Sequence, residues 1–192
     1  ALPISLNESY ETYNFRQVGG YSDGTFKELS EEQVEKISAH PGIREAGERI
    51  VCGFCTTGVF GKVPAEVSYM DKNCTKWSYA TPTTGREPEK SNEIAMDTVA
   101  LKLLGVTPEL GAKVTIEYQA GDRTNEGFQE TDTFILSGYW EYDDLMPVHY
   151  INVSKDYVKS VEEKWMASGE KAFRTDLNVM LPSKLNIEQH MQ

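Results

Sequence analysis

The chain has 192 residues, 39% of them hydrophobic and 26% charged, and a formal net charge of −11. That length buries a real core, either as one domain or as two small lobes, and ten Tyr, seven Phe and three Trp argue against wholesale disorder. The charge excludes a polyanion partner: nucleic acid would be repelled, and no basic stripe offsets the balance.

No apolar run reaches the roughly 18 to 20 residues of a membrane helix, and no leader with a basic start and an apolar middle is present. The chain begins Ala1-Leu2-Pro3, as a processed or excised piece would. Any anchoring helices of a membrane parent are therefore expected outside it.

Along the chain, Glu11–Val18 reads as a strand, with a turn at Asp23-Gly24. Ser30-Glu31-Glu32-Gln33 fits a capping box, with Leu29 and Val34 as its hydrophobic staple, and predicts a helix from Glu31 to about Ala39. His40-Pro41-Gly42 stops it. Strands are expected over Ala46–Val59, bent near Gly53, and over Ala65–Met70. Asp71 is placed to cap a short helix ending near Trp77, and Thr81–Gly85 reads as a loop between lobes.

Glu93–Met96 reads as a short strand, and Asp97 caps a helix through Leu104 that Gly105 ends. Val114, Ile116 and Tyr118 alternate with polar residues in a half-buried strand, and Gly121–Gly127 forms a hairpin loop. Thr131–Tyr142 is a long strand interrupted at Gly138. Val148–Val153, a helix from Ser154 to about Met166, and Phe173–Met180 complete the chain. The expected fold class is α+β in two lobes. Residues 1–84 and 145–192 form a β-α-β-type lobe from both chain ends, and 85–144 form an inserted β-rich lobe.

The cysteines are Cys52, Cys55 and Cys74, an odd number that excludes full pairing within the chain. Cys52-Gly53-Phe54-Cys55 has the spacing of a thiol redox pair, which makes Cys52 and Cys55 the redox or disulfide candidates. That chemistry needs the first Cys at a helix N-terminus. The flanks here are strand-like, so small packed cysteines are the alternative. No histidine stands at metal-ligand spacing from them. His149, near Asp143 and Asp144, resembles a catalytic cluster on paper but lacks a nucleophile beside it. No G-x-S-x-G, H-E-x-x-H or phosphate-loop motif occurs. No enzyme activity, cofactor or metal is expected. From Glu126 to Asp144 there are six acidic residues and no Lys or Arg. This stretch reads as a solvated acidic face. Within it Tyr139, Trp140 and Tyr142 are the candidate partner surface.

Four segments follow one another closely: Thr84-Gly85-Arg86-Glu87-Pro88, Ser91-Asn92-Glu93-Ile94-Ala95-Met96, Leu103-Leu104-Gly105-Val106 and Leu110-Gly111-Ala112-Lys113-Val114. Their order resembles the G-R-x-P … N-E-I … L-G … G-x-x-V run of the extracytoplasmic, MacB-like periplasmic core domain of FtsX-like ABC transporter permeases. The match spans about residues 84–155, and the cysteines and the acidic aromatic run depart from it. The resemblance implies a domain held outside the bacterial cell membrane between membrane helices. It would couple ATP hydrolysis by a cytoplasmic ABC ATPase subunit to movement or to handling of an extracytoplasmic substrate or protein. A second permease copy is the other implied partner. A free-standing secreted or lipid-anchored binding protein and a thiol-disulfide oxidoreductase are the alternative readings.

Overall fold

The computed structural model describes residues 24–121 and 128–181. The strand expected at Glu11–Val18, most of the Gly121–Gly127 loop and both chain ends lie outside the described residues. The fold is α+β, and the chain divides into two compact units.

The first unit comprises residues 1–49, 71–78 and 174–192. Strand β1 (Gly24–Phe26) pairs antiparallel with β9 (Thr175–Met180). The N-terminal part of β2 (Glu45–Cys55) lies on the other side of β9. Arg44 N–H donates to Met180 O at 2.8 Å, and the Arg49 guanidinium reaches Asp176 at 2.9 Å, so this pair also runs antiparallel. Helix α1 (Glu31–Ser38) buries Val34 and Ile37 against Phe26, Leu29, Ile43, Leu177 and Val179. Both halves of the capping box are formed. Ser30 Oγ accepts from Gln33 N–H at 3.2 Å, and Gln33 Oε1 accepts from Ser30 N–H at 2.8 Å. Helix α2 (Lys72–Trp77) is capped by Asp71, whose second oxygen accepts from Glu48 N–H at 2.8 Å.

The second unit comprises residues 50–70 and 79–173. Its strands are the C-terminal half of β2, β3 (Ala65–Met70), β4 (Thr84–Gly85), β5 (Glu93–Asp97), β6 (Lys113–Ala120), β7 (Gln129–Trp140) and β8 (His149–Val153). Neighbour follows neighbour as β2-β3-β8-β5-β7, then β6 pairs with both β7 and β2. The strands thus close a ring of six, with β4 added outside on β7. Val114, Ile116 and Tyr118 of β6, Phe134 and Leu136 of β7, and their counterparts on the other strands form one core. Helix α3 (Thr98–Leu103) adds Ala100 and Leu101 to it, and α4 (Lys155–Ala167) adds Tyr157, Val158, Val161 and Trp165.

The division differs from the expected boundaries at residues 84 and 145. β5 pairs with β8, and β6 with β2, so the middle segment shares a ring with strands on both sides of it in sequence. Closure is the reason: an isolated middle lobe would leave β5 and β6 with unpaired edges, and the ring removes them. Two short strands stand where the sequence predicts turn or loop. β1 and β4 have three and two residues, too few for alternation to register.

Ser30→Ala should lower stability by about 0.5 to 2 kcal/mol, the usual loss of an N-cap. Urea denaturation followed by circular dichroism measures it, and an unchanged midpoint would mean that the cap carries no load.

Candidate functional site

The Cys52-Gly53-Phe54-Cys55 segment lies at the seam where β2 meets β6. Gly53 pairs with Ala120 and Phe54 with Gln119. A Cβ on Gly53 would stand 2.3 Å from Gln119 O and 2.7 Å from the Tyr118 ring, so glycine is what lets the strands approach. All three cysteines are buried, and none is in a disulfide. Cys52 Sγ lies 3.4 Å from Tyr118 Oη, and the Cys55 thiol donates to Glu117 O at 3.4 Å. The two thiols thus hold adjacent residues of β6, whose side chains alternate between faces.

From Cys52 the bonds continue. Tyr118 Oη lies 2.7 Å from Tyr157 Oη, and the Tyr157 hydroxyl donates to Asp132 Oδ2 at 2.5 Å. A carboxylate only accepts, so the direction is fixed: Tyr118 donates to Tyr157 and Cys52 to Tyr118. Burial raises both phenols. Burial also pushes the Cys52 and Cys55 thiols up to about 12. A redox cysteine needs the opposite, a depressed value and access. The geometry therefore gives Cys52 and Cys55 the role of packed donors.

The motif residues form a strap over β7. Leu136 pairs with Ile94 and Gly138 with Ala95, leaving Ser137 as an extra, bulged residue. Arg86 N–H donates to Ser137 O at 2.8 Å, and Ser137 Oγ returns a bond to Arg86 O at 3.0 Å. Gly85 opposes Gly138. Gly85 has φ of 76°, and a Cβ there would stand 2.2 Å from Ser137 O. Arg86 then forks onto Glu93, at 3.0 Å to one oxygen and 2.5 Å to the other. Glu93 Oε1 also accepts from the N–H groups of Glu89 and Lys90. Burial alone would raise the Glu93 carboxyl, but the Arg86 bond and these two N–H groups outweigh it and hold it below its ordinary value.

The aromatic surface expected at Tyr139, Trp140 and Tyr142 is only partly a surface. Trp140 is buried with Ala80 and Ala95, and Tyr150 packs against them. Tyr139 is half-buried against the core of the ring. The bulge at Ser137 shifts the alternation of β7, so that Tyr139 shares the ring-core face with Leu136 and Trp140 lies on the opposite face, covered with Ala95 and Ala80. Tyr142 props the following loop instead. Its ring lies 4.3 Å from that of His149, and its hydroxyl donates to Met146 O. Burial, then the charges of Asp97, Asp144 and Asp143, raise the Tyr142 phenol and keep it a donor.

His149 does not join Asp143 and Asp144. Its Nδ1 lies 2.7 Å from Asp97 Oδ2, with the two side chains 2% and 1% exposed. The other Asp97 oxygen caps α3 by accepting from Ala100 N–H at 2.7 Å. Asp143 instead closes the loop on itself, accepting from Leu145 N–H at 3.0 Å. No nucleophile stands in this group, and among the described residues no cluster of His, Cys, Asp and Glu is arranged to hold a metal ion. Sequence reading missed Asp97 as the His149 partner because 52 residues separate them. Beside this group, Thr98, Val99, Lys102, Val106 and Pro108 line an open groove of about 400 Å³. Thr98 Oγ1 donates to Glu141 Oε2 at 3.1 Å, which ties the groove to the loop.

No family model matches the chain, and no curated protein matches it either. Among solved structures, the chain is similar to the extracellular domain of the noncanonic ABC-type transporter YknZ from Gram-positive bacteria. The identity is 12%, over 84% of this chain and 78% of that one, with a TM-score of 0.46. Among the described residues, no helix is long and apolar enough to cross a membrane.

Two outcomes are expected. The cysteines should react slowly with a soluble disulfide reagent in the native protein and fully in denaturant, as absorbance of the released thiol reports. Rapid native reaction would show that the seam is open. For the strap, Glu93→Gln should lose stability at neutral pH. The depressed folded value makes the Glu93 contribution fully present above its ordinary 4.5 and lost as pH falls through the folded value. Urea titrations of both proteins should therefore converge below that window, and a pH-independent difference would exclude the linkage.

Proposed function

We propose that this chain is the extracytoplasmic domain of an ABC transporter permease of the FtsX/MacB-like kind. Its role is to couple ATP hydrolysis on the far side of the membrane to movement or to binding of a partner. The supporting observation is the strap. Each residue of the G-R-x-P … N-E-I run has a structural task here: Gly85 the close pairing, Arg86 the fork, Glu93 the acceptor of four donors. A run whose members interlock in space is one structural unit, and its resemblance to the family run then rests on more than composition. Gly105, with φ of 74°, and Gly111, with φ of 89°, supply the later turns of the same run.

In this reading the domain carries no nucleotide chemistry. A cytoplasmic ATPase subunit supplies it, and the domain acts as a rigid element with two positions biased from a distance. The ring of strands suits that role, since closure leaves few soft edges to absorb a displacement.

Location is the decisive test. The three cysteines of this chain are buried, so one exposed cysteine gives a clean signal once any cysteines elsewhere in the full-length product are replaced by serine. Lys171→Cys, at an exposed position, placed in the full-length gene product, should react with a membrane-impermeant maleimide in intact spheroplasts. Labelling only after lysis would place the domain in the cytoplasm and end the proposal.

A further inference from the structure

The outer face of the ring carries a buried polar pair. Ser68 of β3 stands beside Asn152 of β8 in the parallel register, and Asn152 pairs on its other side with Ala95 of β5. Their strand neighbours Val67, Ile151, Val153, Ile94 and Met96 face the ring core. Alternation therefore turns Ser68, Asn152 and Ala95 to the opposite face. That face is covered. Ser68 is 0% and Asn152 3% exposed, and Ala95 packs with Ala80, Trp140 and Tyr150.

Among the described residues, the Ser68 hydroxyl and both polar atoms of the Asn152 amide, Oδ1 and Nδ2, have no hydrogen-bond partner. The two side chains are neighbours and yet make no direct bond to each other. Three buried polar atoms at one point call for a ligand, because a buried polar group without a partner costs free energy that native folds avoid. The donor set selects its chemistry. Asn152 needs a donor for Oδ1 and an acceptor for Nδ2–H, side by side. A cation would serve Oδ1 and the Ser68 oxygen but be repelled by the Nδ2 hydrogens. An anion would serve Nδ2–H but be repelled by Oδ1. A molecule that carries an O–H and a lone pair on one atom serves both, and burial this complete admits nothing larger than water.

We propose that this site holds one ordered water that bridges β3 to β8. The water donates one hydrogen to Asn152 Oδ1 and accepts from Asn152 Nδ2–H, closing a small ring with the amide. Its third contact is the Ser68 hydroxyl. About three bonds is the usual number for a buried water. Asn152 is flanked on this face by two small side chains, Ser68 and Ala95, and their size leaves the space that larger residues would fill. Ser68 and Asn152 form the C-terminal pair of the β3–β8 ladder, so the bridge fastens the end of that ladder from its outer side. The inference is independent of the transporter reading, since it concerns only the packing of the second unit.

A crystal structure of the full chain that shows ordered solvent, together with nuclear Overhauser spectra of the Asn152 side-chain amide, tests the site. The crystal should show one oxygen at about 2.7 to 3.2 Å from Asn152 Oδ1, Asn152 Nδ2 and Ser68 Oγ. In solution the Asn152 Nδ2 hydrogens should give cross-peaks at the water frequency, opposite in sign to the rotating-frame peaks, the signature of a bound water. The Ser68 hydroxyl, exchanging with solvent, is the other source of such peaks. Ser68→Ala removes that hydroxyl and keeps both Asn152 contacts, so the peaks should persist in a variant whose circular dichroism matches the wild type. Loss of the peaks in Ser68→Ala overturns the proposal. So does a crystal structure in which the Asn152 amide bonds directly to Ser68 Oγ or to another group of the chain with no oxygen between, or in which a cation with further oxygen ligands takes the position.

Discussion

The approach of β2 to β6 at Gly53 is the contact on which the second unit depends. Among the described residues two register pairs join these strands, Gly53 with Ala120 and Phe54 with Gln119, reinforced by Gly121 N–H donating to Cys52 O at 2.9 Å. Without them the sheet would be an open ribbon with edges at β2 and β6, each a row of unsatisfied backbone groups. With them, the inward residues of six strands face one another and bury a common core. Any side chain at residue 53 would collide with the β6 backbone, and backbone cannot move aside as a flexible side chain can. The spacing that resembles a redox motif is thus a seam: a glycine for closeness, and a small buried thiol on either flank that bonds to the opposite strand.

Several polar groups of this unit are joined donor to acceptor in one chain. From Cys52 through Tyr118 and Tyr157 to Asp132, the bonds link β2, β6, α4 and β7 in a single direction. Such a chain is worth little as net energy but penalises every alternative packing that would strand one of its members. It fixes where α4 sits against the ring. The strap does the same for the connection into β5. Glu93 gathers Arg86 and two backbone N–H groups at one carboxylate, so the polar segment between β4 and β5 has one preferred path although it contributes little apolar surface.

What could be read from the sequence was what acts over short separations. Ser30, Asp71, Asp97 and Ser154 all cap the helices expected of them, because a cap bonds to a residue three positions on and its chemistry is local. The half-buried β6 showed itself by alternation, and the interruption at Gly138 marks the bulge. Contacts between distant segments were not legible. Nothing near His149 announces Asp97, and nothing near Tyr118 announces Tyr157. The lobe boundaries were misplaced for the same reason: which strand closes on which is decided by pairings tens of residues apart. Trp140 shows a different limit. An aromatic-rich, acidic run looks like a surface by composition, whereas the bulge at Ser137 sets Tyr139 against the ring core and Trp140 in a second buried cluster on the opposite face.

These commitments bear on where function can reside. The residues with the greatest chemical potential in the second unit are the thiols, the tyrosine pair, the His149–Asp97 pair and the Glu93 carboxylate. Each is held by partners within the chain, and the thiols and buried phenols are shifted away from reactivity at neutral pH. Groups arranged in this way hold the packing of the unit in one arrangement. The side chains presented to solvent at the α3 groove and the 141–148 loop are of another kind: apolar residues beside single charges, on backbone fixed from beneath. The buried polar bonds hold the backbone of this loop in place from beneath. The transporter reading draws on the closed ring, as a body that moves as a whole.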